Sequence, residues 1–335
     1  KKVNAFAVFE KSLGEYCIGI NFGAFQRIKE KSEEIVSMIV EKCDDEPIDK
    51  KLILPEEQDE WGEAVYINAM RFFVAHEYAH ILNGHVKEDS VGYFEFVDEE
   101  IKGVDNIFQQ MKEFDADETA MNIRCYMMRS SIKLKFHKQK NILNEELCEK
   151  SQMLKKAGIP EALINLNMQR YIYELKQAAS QELIDIRNNF KKLMLGVNVV
   201  FLTLDERREK NINNIADIQK ISLEDRGKFY FTSGLQLIRE IDHPIPALRL
   251  DAVIRIMDEY IEFIEGKAYA EEICKDIADY VWKVELLRRN GNINKLYIHV
   301  AHTPTAQDFI QEVETRWQIE RKIFKSYIDQ LERLF

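Results

Sequence analysis

Hydrophobic and polar residues near the start of the chain form two short β-prone runs, Ala5 to Phe9 and Tyr16 to Phe22. Ser12-Leu13-Gly14 lies between them and suits a tight turn, so the pattern predicts a small antiparallel hairpin. From Ala24 the apolar period lengthens to that of a helix, with Phe25, Ile28, Ile35, Met38 and Ile39 on one face. Acidic, proline-containing sequence from Asp44 to Asp59 interrupts it. Two more helical runs follow, Trp61 to about Val86 and Val104 to about Met128, each with apolar residues at helical spacing. Between them Lys87 to Gly103, rich in charge, glycine and aromatics, predicts a loop or an inserted hairpin. Residues 131 to 240 read as mostly helical, with breaks at Gly158-Ile159-Pro160 and Gly227. A last helix is expected from Thr303, with a stripe of Phe309, Val313, Trp317, Ile323, Tyr327 and Leu331. That stripe suits packing within its own domain, or an oligomer or partner contact. The expected fold class is therefore mainly α with a small antiparallel β-sheet, an α+β arrangement.

Composition narrows the function classes. Hydrophobic residues make up 46% and charged residues 31% of the 335, as in a globular protein that buries a real core. The net charge of -11, with no basic run interleaved with aromatics, argues against nucleic acid as the main partner. Leu193 to Leu204, the most continuous apolar stretch, falls well short of the roughly 20 residues a membrane span needs, and reads as buried core. The first residues lack the apolar run of a signal peptide. Five scattered cysteines without a Cys-x-x-Cys pair fit a reducing cytoplasm.

The chemistry concentrates in His76-Glu77-Tyr78-Ala79-His80, placed inside a predicted helix. Residues four apart on a helix share a face, so the two imidazoles can converge on one metal ion. Glu77 lies beside that line, where it can take the proton of a water that the metal activates. The pattern arises by chance in about one chain of this length per hundred, so a third ligand is needed to support it. His85 is a poor candidate. A compact arrangement with a third histidine needs glycine at position 83 and histidine at 86, where this chain has Asn83 and Val86. His85 then reads as a solvent-facing or helix-terminal residue. Glu113 is the better candidate, with Asp117 four residues on to accept the outer N–H of a ligating histidine and Ala116 small enough for close helix approach. Three protein ligands would leave the open fourth position that catalysis requires.

His76-Glu77-x-x-His80 followed by Glu113-x-x-Ala116-Asp117 resembles the gluzincin zinc metallopeptidases of the minimal-core kind, including the HtpX-like group and the soluble phage-exclusion (Lit-like) peptidases. His243-Pro244-Ile245-Pro246-Ala247-Leu248-Arg249 is similar to the His-Pro-x-x-x-x-Arg element that follows the zinc helices in those families. The resemblance implies Zn²⁺ on His76, His80 and Glu113, with Glu77 as catalytic base. It also implies an oxyanion-stabilising His243, and an Arg249 that anchors its segment on an acidic residue of the motif helices. It implies an edge strand, Ala5 to Phe9 or Tyr16 to Phe22, that pairs with the substrate backbone. The expected division is a metallopeptidase domain over 1–255 and a helical region over 256–335. The expected function is zinc-dependent cleavage of a cytoplasmic protein substrate, in phage defence or stress. The competing expectation is a catalytically silent zinc-site protein whose C-terminal helices bind a partner.

Overall fold

A computed structural model describes residues 5–43, 52–86, 93–94, 107–157, 184–204, 246–265 and 267–288, together with isolated positions between 169 and 177, at 220, and between 308 and 315. It is mainly helical with one small antiparallel sheet. Strands β1 (Ala5–Glu10) and β2 (Glu15–Ile20) pair in the register Ala5↔Ile20 through Glu10↔Glu15. Gly14, at φ +68, closes their turn in a conformation that costs glycine least. A two-residue strand β3 (Tyr93–Phe94) pairs with Ala7 and Phe6 of β1, giving the order β2-β1-β3. β1 is therefore central and β2 lies at an edge. Ala5 and Ala7 point to the covered face and are fully buried, which lets the sheet lie close on the second helix.

Helix α1 (Phe22–Lys42) starts at Asn21, whose side chain accepts the Ala24 backbone N–H at 2.9 Å. Phe22, expected to end the second strand, opens this helix instead. Its buried face runs through Ile28, Ser32, Ile35, Val36 and Ile39. Phe25, expected on that face, is exposed. Helix α2 (Gln58–Leu82) follows a short 3-10 turn at Pro55–Glu57. It is buried nearly all round, with Val65, Phe72, Phe73, His76, Glu77 and His80 covered and a narrow strip including Val74 and Tyr78 exposed. A helix of that pattern belongs at the centre of its unit.

Helix α3 (Ile107–Lys156) continues far beyond the expected end near Met128. Arg124 on α3 donates to Asn68 Oδ1 on α2 at 3.1 Å. Helix α4 spans 184–204 and contains the long apolar stretch, whose Leu193, Val197, Val200 and Phe201 are buried as expected of a core segment. Gly196 lets it approach α2 closely: a Cβ there would sit 2.7 Å from Ala69 N and 2.9 Å from Val65 O. Helices α5 (Pro246–Glu265) and α6 (Lys267–Arg288) pack on each other, and α6 also packs on α1. Tyr280 of α6 stacks near Trp61 at the start of α2, with ring centroids 6.0 Å apart.

The chain forms two compact units, one comprising Lys1–Arg124 and Lys192–Phe335 and the other Cys125–Lys191. The expected division near residue 255 falls at a position inside α5. Among the described residues no helix is long and apolar enough to cross a membrane. Most of Lys87 to Gly103, the break at Gly227, His243 and the stripe of the expected last helix lie outside the described residues.

Candidate metal centre

Helix geometry alone brings the first two candidate ligands together. Four residues turn an α-helix through about 40° beyond a full revolution, so His76 and His80 leave α2 on the same buried side. Their Nε2 atoms are 3.1 Å apart. Helix α3 brings Glu113 against them, with Oε2 at 3.3 Å from His76 Nε2 and Oε1 at 3.6 Å from His80 Nε2. All three are buried, Glu113 and His80 completely. Their ligand atoms lie within 4.8 Å of one another and form the one group of this kind among the described residues.

The spacing fits a metal. Tetrahedral coordination at 2.0–2.1 Å has ligand-to-ligand edges of about 3.3–3.4 Å, and the three observed separations scatter around that value. The donor set of two imidazoles and one carboxylate suits a first-row transition metal. Burial, reinforced by the neighbouring His76 imidazole and opposed by the Glu113 carboxylate, holds His80 well below the usual imidazole range. A neutral ring with a free nitrogen lone pair is the form that binds metal.

Each imidazole is held from behind. Asp117 Oδ1 lies 3.0 Å from His76 Nδ1, which puts a carboxylate beside the outer ring nitrogen, the place of a partner that orients a ligating histidine. Arg249, from α5, grips Asp117 through two hydrogen bonds, Nε to Oδ2 at 2.7 Å and Nη2 to Oδ1 at 2.8 Å. The same Nη2 is 3.4 Å from Glu113 Oε2. The guanidinium lies 4.7 Å over the Phe201 ring of α4, and Phe201 meets Phe72 of α2 edge-on at 5.7 Å. Thus a residue 132 positions downstream of Asp117 closes the back of the site.

His85 differs from its expected place. It is 5% exposed, and its Nδ1 lies 2.9 Å from His80 Nδ1. The reason is that α2 stops at Leu82 rather than near Val86. Asn83 caps it, Gly84 takes φ +70, and the backbone N–H groups of Gly84 and His85 turn back to Ile81 O at 3.1 Å and His80 O at 2.9 Å. This is the Schellman arrangement, in which the residue two beyond the cap folds over the helix's last turn. Asn83 also reaches α3: its Nδ2 bonds the Asp115 carboxylate, and Thr119 Oγ1 at 3.0 Å. Asp115 Oδ2 then lies 3.1 Å from His85 Nε2. His85, Asp115 and Asn83 were absent from the expected site. The Asn83-Gly84 pair is the signal that could have placed the helix end and turned His85 inward.

Glu77 is completely buried beside His76. His243 lies outside the described residues. No family model matches the chain, and searches of the curated proteins and of the solved structures find no match to it either.

Proposed function

We propose that the protein is a zinc-dependent peptidase, with His76, His80 and Glu113 as the metal ligands and Glu77 as the general base. The observation that carries this reading is the buried His-His-Glu cluster in a chain where Glu77, directly between the two histidines in sequence, is buried with it. A purely structural zinc site has no need of such a base and usually fills its fourth position with a protein ligand. A zinc ion there would supply Lewis acidity to a peptide carbonyl and bring the pKa of a water toward neutrality.

The chain's own residues then have separate tasks. Glu77 takes the water's proton and passes it to the leaving amine. Asp117 orients His76, and Arg249 orients Asp117. His243, by the likeness of His243-Pro244 and Arg249 to the gluzincin element, donates to the oxygen that becomes negative as the carbonyl is attacked. The edge strand β2 is the candidate for pairing with an extended substrate backbone, since β1 is flanked on both sides. The substrate class is a protein segment, and the gluzincin likeness suggests a cytoplasmic phage-defence or stress setting.

The test is Glu77→Gln, which keeps size and hydrogen bonding but removes the base. Purified wild type should hold about one zinc per chain, and the variant should hold the same. Proteolysis, and any cellular effect that depends on it, should be lost. Full biological activity in the variant would favour the competing reading, an interaction protein that keeps a zinc site.

A further inference from the structure

The two imidazoles of the cluster are supported in different ways. His76 is backed by Asp117, a carboxylate whose charge Arg249 offsets. Behind His80 stands another histidine, His85, and behind that Asp115. Hydrogen-bond bookkeeping along this second line leaves one solution. For His80 to present Nε2 toward the cluster with its lone pair free, its proton must be on Nδ1. That N–H faces His85 Nδ1 at 2.9 Å, so His85 Nδ1 must be the bare acceptor. His85 must then carry its proton on Nε2, which faces Asp115 Oδ2 at 3.1 Å, a carboxylate that can only accept. The His80–His85 contact is thus a hydrogen bond with its donor on His80, and the Asp115 carboxylate lies within ion-pair distance of the far nitrogen of His85.

We infer that His85 is a positioning residue for the metal site, fixing the ring and tautomer of His80 through a His80–His85–Asp115 relay that Asn83 holds in place. The inference rests on the metal-site reading given above. Three features set the relay up. The cap at Asn83-Gly84 folds His85 over His80, where such a cap more often places an apolar contact. Asn83 donates to the Asp115 carboxylate and to its backbone carbonyl, the latter at 3.3 Å, which immobilises Asp115. Asp115 lies two residues from Glu113, so the same tie registers the carboxylate ligand on α3 against the histidine ligands on α2. His85, Asp115 and Asn83 are each no more than 5% exposed, so water does not readily substitute for any of these contacts.

The experiment uses the full chain and measures zinc affinity by competition with a chelator, the visible spectrum of the Co²⁺-substituted protein, and ¹⁵N ring resonances of the zinc-loaded protein. His85→Ala should bind zinc 10–100-fold more weakly, as loss of an outer-shell partner typically does. His85→Asn, whose amide oxygen can stand near the Nδ1 position, should recover most of that affinity and restore a wild-type cobalt spectrum. His85→Gln, whose amide reaches the Nε2 position instead, should not, and it keeps the comparison available if the alanine variant fails to fold. The ring spectrum should show His85 protonated at Nε2 and bare at Nδ1. Unchanged affinity and cobalt spectrum in both His85→Ala and His85→Gln, or a His85 protonated at Nδ1, would overturn the relay alone. A wild-type chain that binds zinc no better than His76→Ala would remove the metal site itself, and the relay with it.

Discussion

Arg249 offers the sharpest test of how the site is held together. Its guanidinium makes two short hydrogen bonds to Asp117, approaches Glu113 at 3.4 Å and is 2% exposed. Replacing it with methionine keeps an unbranched chain over Phe201 but leaves two carboxylates without their cation. At an effective dielectric of about 20, opposite unit charges near 4 Å attract by about 4 kcal/mol. Removing one partner of a buried pair costs about 3–5 kcal/mol in measured cases, because the other charge stays buried. Arg249→Met should therefore lower the stability of the metal-free protein by about 3–5 kcal/mol, read as a shift of the urea unfolding midpoint at unchanged slope. Arg249→Lys keeps the charge but not the two-pronged geometry, and should lose about 1.5–3 kcal/mol, the value of one hydrogen bond to a charged group. Adding Asp117→Asn to Arg249→Met should restore part of the loss, since the orphaned charge is then gone. Zinc should also narrow the deficit by supplying positive charge beside Glu113. A loss below about 1 kcal/mol in Arg249→Met, the range of an exposed ion pair, would refute the view that this arginine neutralises the site.

Zinc at a hundred times its dissociation constant should raise unfolding stability by about 2.7 kcal/mol, with chelator reversing the gain and His76→Ala abolishing it; thermal melts with and without metal measure this. Gly196→Ala should destabilise by about 1–3 kcal/mol, because the added methyl meets the α2 backbone at Ala69 and Val65 rather than a movable side chain, and equilibrium unfolding checks it. His243→Ala should lower kcat by about 10²–10³ with zinc content unchanged, since a donor to a developing oxyanion acts only as charge appears; steady-state kinetics beside metal analysis would show instead whether it binds the metal.

The pairing of His76 with His80 was legible in the sequence because it needs only the pitch of a helix, a local property of the helical run that contains both. The buried character of Leu193 to Leu204 and the hairpin at the N-terminus were legible for the same reason, since each is written in neighbouring residues. Glu113 and Asp117 could be proposed from their four-residue spacing, but spacing on one helix cannot say which other helix it faces. The tertiary structure decides it: Glu113 meets His76 and His80 of α2, and Asp117 meets Arg249 of α5, whose guanidinium lies over Phe201 of α4. His85 shows the limit most clearly. Continued helix through position 85 would turn it away from the metal ligands, and only the actual end of α2 at Leu82, with Gly84 at positive φ, folds it over His80. Helix ends depend on a few weak capping contacts, and here one of them, Asn83 to Asp115, joins residues 32 positions apart. Local patterning therefore determined the hairpin, the core segment and the first two candidate ligands. Long-range contacts, which no window of sequence contains, decided which side chains stand behind them.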